Sequence, residues 1–203
     1  MASSILNDVL QFTTLLNKFQ EVERVVYLPG RDRRENDGEH SYQLAMLAWY
    51  IVERGPINLN KDLVVKYALI HDLVEVYAGD TYIYSKNHND LESKQEREEK
   101  ARIRIEEEFP AFTGLHAMIQ NYEKRSDKES CFVYVLDKIH PVLQLYLDNG
   151  RMWREEGVTL KMLLDKKKDK IHLAEELRPL WNELEKLLTE NENDLFPQEQ
   201  KLP

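Results

Sequence analysis

The chain has 203 residues, with 37 acidic against 28 basic and a net charge of −9. That balance disfavours a nucleic-acid polymer as partner, because such binding rests on lysine and arginine neutralising phosphates. One cysteine, Cys131, excludes an intrachain disulfide, and seven glycines and seven prolines without any low-complexity stretch leave no sign of a linker, so a single domain is expected.

The first residues carry no basic segment and no apolar run long enough for export or membrane spanning, so a cytoplasmic protein without a membrane partner is expected. Ile5, Leu6, Val9, Leu10, Phe12, Leu15, Leu16 and Phe19 recur at helical spacing and predict a first helix over 4–19. An irregular stretch with Pro29-Gly30 follows. It holds candidate cations for a small anion: Arg24, and the cluster Arg31, Arg33, Arg34, which reads equally well as a solvated loop. A second helix is predicted over 39–54, stopped by Gly55-Pro56, and a third, capped by Asn60, runs through His71 and Glu75 toward Gly79. A charged helix over 90–108 precedes Pro110, and a shorter one covers 114–122. Ser126 with Glu129 makes a capping box for a helix ending near Asn149-Gly150. Farther on, Trp153, Leu160, Leu163, Ile171, Leu177, Trp181 and Leu184 predict two more helices, with Pro179 interrupting or starting one. Residues 191–203 read as a polar, frayed tail. No alternating period appears, so the fold class is all-α: one multi-helix domain over 1–190, its motifs within about 36–150.

Four ionisable residues interrupt these apolar helices. His40 shares a helical face with Leu44, Leu47 and Ile51; His71-Asp72 ends the run Tyr67-Ala68-Leu69-Ile70; Asp137 ends Phe132-Val133-Tyr134-Val135-Leu136. Any one of them alone reads as a satisfied core group or a cap. Together, from three elements, they read as a metal site, since a buried carboxylate otherwise costs several kcal/mol, roughly, and one divalent ion compensates all four. Two imidazoles and two carboxylates suit Mn²⁺, Co²⁺, Fe²⁺, Ni²⁺ or Zn²⁺, with positions left for water and a phosphate oxygen. Glu75, four residues after His71 and three after Asp72, falls on the same side of a helix and is the candidate proton carrier. His140, one turn after Asp137, reads as a core histidine or as a support for the ligands.

The order His, then His-Asp, then Asp resembles the HD-domain superfamily of metal-dependent phosphohydrolases. The segments Glu39-His40-Ser41-Tyr42-Gln43-Leu44-Ala45, His71-Asp72-Leu73-Val74-Glu75 through Gly79-Asp80-Thr81, and Leu136-Asp137-Lys138-Ile139-His140-Pro141 are similar to the compact members grouped with deoxynucleoside 5′-monophosphatases. The resemblance implies an enzyme removing phosphate from a small phosphomonoester, probed first as a deoxynucleoside 5′-monophosphate. It assigns the metal to His40, His71, Asp72 and Asp137, catalysis to Glu75, the substrate phosphate to Arg24 and the sugar hydroxyl to Asp80, and it implies a homodimer, for which the aromatic-rich C-terminal helices offer a surface. Two departures fall on substrate-facing parts: Thr81-Tyr82-Ile83-Tyr84-Ser85 replaces a proline-containing segment, and Val25 stands where a tryptophan follows the arginine. Hydrolysis of a triphosphate, cyclic dinucleotide or alarmone, or a metal-stabilised scaffold without turnover, are the alternatives.

Overall fold

The structure, a computed structural model, describes residues 4–79 and 88–197, the side chains of 88–93 excepted. Helix α1 (Ile5–Phe19) starts where the Ser4 side chain accepts a hydrogen bond from the Asn7 amide and buries Leu15 and Phe19. The irregular stretch after it is a small antiparallel hairpin, β1 (Glu23–Tyr27) with β2 (Arg34–Asn36). The fold class is all-α, as expected, and the small hairpin, which sets Arg24 beside Glu35, escapes the sequence pattern because three residues in β2 are too few to alternate visibly.

Helix α2 (Asp37–Arg54) begins two residues before its expected start. Asn36 accepts from the Glu39 amide while the Glu39 carboxylate accepts from the Asn36 amide, a reciprocal cap that places His40 in the first buried turn. Helix α3 (Lys61–Ile70) is capped by Asn60, as its sequence signals. It does not continue to Gly79. The chain turns tightly over residues 71–74, with Leu73 donating to Ile70 and Glu75 to Asp72, and restarts as α4 (Glu75–Ala78).

Helices α5 (His88–Glu108) and α6 (Thr113–Lys124) lead to α7 (Lys128–Leu147). The cap of α7 lies one residue beyond the expected pair: Asp127 accepts from the Ser130 amide, and Ser126 instead donates to the Asn121 carbonyl. The charged carboxylate is the stronger acceptor, and it also receives the Tyr67 hydroxyl at 2.6 Å. One side chain thereby ties α3 to α7. Glu129 strengthens the tie by accepting the Asn60 amide at 2.8 Å.

Past Gly150, which adopts φ +68°, come α8 (Arg151–Glu155), α9 (Leu160–Ile171), a 3₁₀ turn at Glu175–Leu177 and α10 (Arg178–Glu190), which Pro179 starts rather than interrupts. The expected fraying at 191 is not found up to residue 197. Helix α11 (Glu192–Leu195) follows directly, Leu195 and Phe196 are buried, and Phe196 stacks on Trp153 with ring centroids 4.4 Å apart. The two apolar residues supply the burial that the polar composition around them conceals.

Two apolar cores result. The larger joins α2, α3, α7 and the C-terminal helices through Leu44, Val64, Phe132, Leu136, Trp153 and Leu177; the smaller joins α1, α5 and α6 through Phe19, Ile105 and Ile119. The 71–74 turn bridges them, since Leu73 and Val74 enter the smaller core while Tyr67 and Ala68 enter the larger. The C-terminal aromatics Trp153 and Trp181 are interior, so they offer no outer surface; exposed apolar residues instead share a face of α2 at Tyr42, Met46, Trp49 and Tyr50. No helix among the described residues is long and apolar enough to cross a membrane.

Phe196→Ala removes a stacked, buried ring and is expected to destabilise the protein by about 3–5 kcal/mol. Denaturant unfolding of the variant measures this, and a loss below about 1 kcal/mol would show that 192–196 is a loose appendage.

Candidate metal centre

His40 from α2, His71 and Asp72 from the turn after α3, and Asp137 from α7 converge, each offering a ligand atom within 4.8 Å of every other. The sequence separates these residues by up to 97 positions, and the packing of α2, α3 and α7 closes the distance. His40 Nε2 lies 3.1 Å from Asp137 Oδ1. His71 Nε2 lies 3.0 Å from Asp72 Oδ2 and 3.7 Å from Asp137 Oδ1, yet is directed at neither oxygen well enough for a hydrogen bond. An atom aimed between two carboxylates, out of water, fits a cation in the middle.

The other side of each imidazole is fixed. His71 Nδ1–H donates to the Ala68 carbonyl at 2.9 Å, which turns Nε2 toward the cluster. His40 Nδ1 meets Glu35 Oε2 at 3.3 Å. Glu35 is 2% exposed, and it also accepts from Gln43 at 3.2 Å. His140 packs beside them, its Nδ1 3.3 Å from His40 Nδ1; burial, and then His40, lower its pKa to about 4, so it stays neutral as a support. Glu35 escaped the sequence reading because it lies in a polar run, Arg34-Glu35-Asn36-Asp37, which the hairpin turns inward.

Charge decides the protonation of the ligands. Burial opposes ionisation of Asp72, yet His71 and then Arg24 hold its carboxyl far below the usual range; for Asp137, Lys138 and then the two histidines overcome burial in the same way. Burial would lower the His71 imidazole, but Asp72 and Asp137 outweigh it and push it up to about 10. A divalent ion in this centre therefore takes the place of a proton.

Glu75 is buried at the first position of α4, with an oxygen within 4.8 Å of oxygens of Asp72 and Asp37. It was expected near the C-terminal end of a continuous helix; the break at residues 71–74 puts it at a helix start instead, where an acid is compatible with the backbone dipoles. Lys94 Nζ stands 3.7 Å from Glu75 Oε1. Arg24 also reaches the centre, as the partner of Asp72 at 2.7 Å and Asp37 at 3.0 Å, with Glu35 at 3.6 Å. Asp80 and residues 81–85 lie outside the described residues. Arg31, Arg33 and Arg34 are not on the cavity wall: Arg33 pairs with Glu39 at 2.6 Å and the Arg31 carbonyl accepts from Arg151.

A cavity of about 960 Å³ opens onto the centre. His71, Asp72, Glu75 and Asp137 form its polar floor, Tyr122, Tyr134 and Trp153 are among its aromatic walls, and Lys94, Lys138, Lys167 and Lys170 add cations. The volume accommodates a ligand of nucleotide size. The lysines were not singled out in the sequence, though Lys167 carries a signal: it occupies the stripe Leu160, Leu163, Ile171 of α9 where an apolar residue belongs.

The HD-domain family model matches residues 16–181. A human protein named 5′-deoxynucleotidase HDDC2 is 32% identical over 139 residues, 67% of this chain and 66% of that protein. A Dictyostelium discoideum protein of the same name is 25% identical over 82% of this chain and 92% of its own length. The chain spans about two thirds of the length of its human relative. Among solved structures, a predicted metal-dependent phosphohydrolase from Magnetospirillum magnetotacticum superposes with a TM-score of 0.81 at 30% identity, covering 95% of this chain and 96% of that one. A conserved hypothetical protein from Pyrococcus furiosus shares the fold, with a TM-score of 0.62 at 20% identity.

Because His71 must lose a proton to bind an ion, metal affinity is expected to rise as pH approaches the raised value of about 10. Binding at pH about 8 should release about one proton per ion. Calorimetry in buffers of different ionisation enthalpy measures the release, and none at all would contradict a protonated His71 in the metal-free centre.

Proposed function

The chain belongs to the HD-domain family, and from that premise we propose that it is a metal-dependent phosphomonoesterase acting on a deoxynucleoside 5′-monophosphate or a close analogue. The observation that carries the reading is the meeting of a buried His₂Asp₂ cluster with a buried Glu75 on the floor of one cavity. His40, His71, Asp72 and Asp137 would hold one divalent ion, of the Mn²⁺, Co²⁺, Fe²⁺, Ni²⁺ or Zn²⁺ class. When bound, such an ion supplies Lewis-acid polarisation of the phosphoryl group and acidifies water.

The residues of the chain do the remaining work. Glu75 orients a water and takes its proton as the water oxygen bonds to phosphorus; the ester P–O bond breaks, and the same carboxyl returns the proton to the leaving alkoxide. The products are an alcohol and inorganic phosphate. Lys94, 3.7 Å from Glu75, holds that carboxylate in place before the reaction. Arg24 steadies Asp72 at Oδ2, the oxygen that also lies 3.0 Å from His71 Nε2, and pairs with Asp37 and Glu35 as well, a use that fits its carboxylate contacts better than direct capture of phosphate. Tyr122 and Tyr134 offer faces on which a nucleobase can stack. The substrate name comes from the relatives' deoxynucleotidase names, and sugar discrimination is assigned to Asp80.

Glu75→Gln is expected to lower kcat about 10²–10⁴-fold while metal content stays at one ion per chain, roughly, as befits a proton carrier that is not a ligand. A phosphate-release screen over ribo- and deoxynucleoside monophosphates, triphosphates and sugar phosphates, with Mn²⁺, Co²⁺ and Zn²⁺ in turn, tests the substrate class. The deoxynucleoside monophosphates should lead. Release from triphosphates alone would replace the reading with a triphosphohydrolase, and stoichiometric metal with no release from any ester would make the chain a scaffold.

A further inference from the structure

Helix α9 presents Leu160, Leu163 and Ile171 to the larger core, and on the same buried stripe it carries Lys167. A lysine in that position sacrifices hydration, and a site without a use for the charge would carry leucine or methionine. Lys167 is 5% exposed, lines the cavity with Asp137 and Lys138, and makes no ion pair among the described residues. Lys170, one turn on and half-buried, lines the same wall, again without an ion pair among the described residues. Lys138 stands next to both and is anchored to Asp137 at 2.6 Å. The other cations of the cavity are engaged: Lys94 with Glu75 and Glu98, Arg24 with three acids, and Arg125 over the Tyr134 ring.

We propose that Lys167 and Lys170, with Lys138 between them and the metal ligands, form an anion subsite that grips the dianionic phosphate of a monoester. The ligand class rests on the phosphomonoesterase reading. The chemistry is local pairing. Lys94 already has Glu75 and Glu98, Lys138 has Asp137, and Arg24 has Asp72, Asp37 and Glu35, which leaves the two α9 lysines as cavity-wall ammoniums without an acid partner among the described residues, placed to face a group of charge −2. Phosphomonoesters carry that charge near neutral pH, whereas a diester carries half of it and blocks one more oxygen. The subsite thus selects a terminal phosphate over a diester. Burial, and next Lys138, pull the Lys167 pKa down to about 7, so an anion placed beside it favours the ammonium that these two effects oppose.

The test uses the full chain loaded with Mn²⁺ and titrated with inorganic phosphate, methyl phosphate and dimethyl phosphate by calorimetry. Wild type should bind the first two and bind dimethyl phosphate at least tenfold more weakly. Lys167→Met and Lys170→Met should each weaken phosphate binding tenfold or more with metal content and circular dichroism unchanged, and Lys167→Arg should restore most of the affinity. Should Lys167→Met fail to fold, the half-buried Lys170→Met carries the same comparison. No phosphate binding by wild type, or equal affinity in both methionine variants, overturns the subsite. If wild type releases no phosphate from any ester but these binding differences hold, the subsite stands and the phosphomonoesterase reading fails, so the two are separable.

Discussion

Asp72 and Asp137 both ionise within a few ångströms of each other in a centre largely closed to water, and each forfeits hydration worth several kcal/mol, roughly, after relaxation. Around that pair the chain sets positive charge and hydrogen-bond donors: Arg24 from β1 on Asp72, Lys138 from α7 on Asp137, and the two imidazoles between them. The protein cations alone bring the carboxylates to the ionised state, so the one proton a metal must displace is that of the His71 imidazolium.

Rigidity at the centre follows from the outer contacts of the ligands. An imidazole on a flexible helix would swing between carboxylates, but the Ala68 carbonyl fixes His71, and Glu35 with His140 fixes His40. The start of α7 ties it to α3 at two points, since Asp127 both caps α7 and receives the hydroxyl of Tyr67, and Glu129 accepts the amide of Asn60, the cap of α3. The geometry of the four ligands therefore depends on residues that touch none of them. The turn at 71–74 has a similar indirect role: Leu73 and Val74 are drawn into the smaller core, and their anchoring swings Glu75 onto the cavity floor.

The helices and the ligand set were legible because both announce themselves by contradiction or by rhythm: apolar residues at helical spacing mark the elements, and ionisable groups set into those runs mark the site. His40, His71, Asp72 and Asp137 are all of that kind. Apart from Lys167, which breaks the apolar stripe of α9, what escaped lacks a local signal. The β1–β2 hairpin is too short to show a period, and Glu35 looks like any polar loop residue until β2 folds it under Arg24. The helix break at His71 is invisible because neither glycine nor proline marks it and apolar residues resume at Leu73-Val74, and only the existence of two cores, one on each side, makes a turn preferable to another helical turn. Likewise, Leu195 and Phe196 are two apolar residues in a polar tail, and Trp153 decides that they pack.

Arginine and lysine divide the electrostatic work according to their chemistry. Arg24 has a planar fork that can meet several fixed oxygens at once, so it suits carboxylates whose positions never change, and it meets three acids in this site. An ammonium on a flexible stem is the better choice where the partner arrives and leaves, because it tolerates several geometries and loses less when the partner is gone. Lys167 and Lys170 on the cavity wall fit that second use. Their placement on α9 also gives the C-terminal third of the chain a reason to be packed so firmly, through Trp153, Leu177 and Phe196, against the helix that bears Asp137: an anion held between α7 and α9 is positioned only as well as those two helices are held to each other.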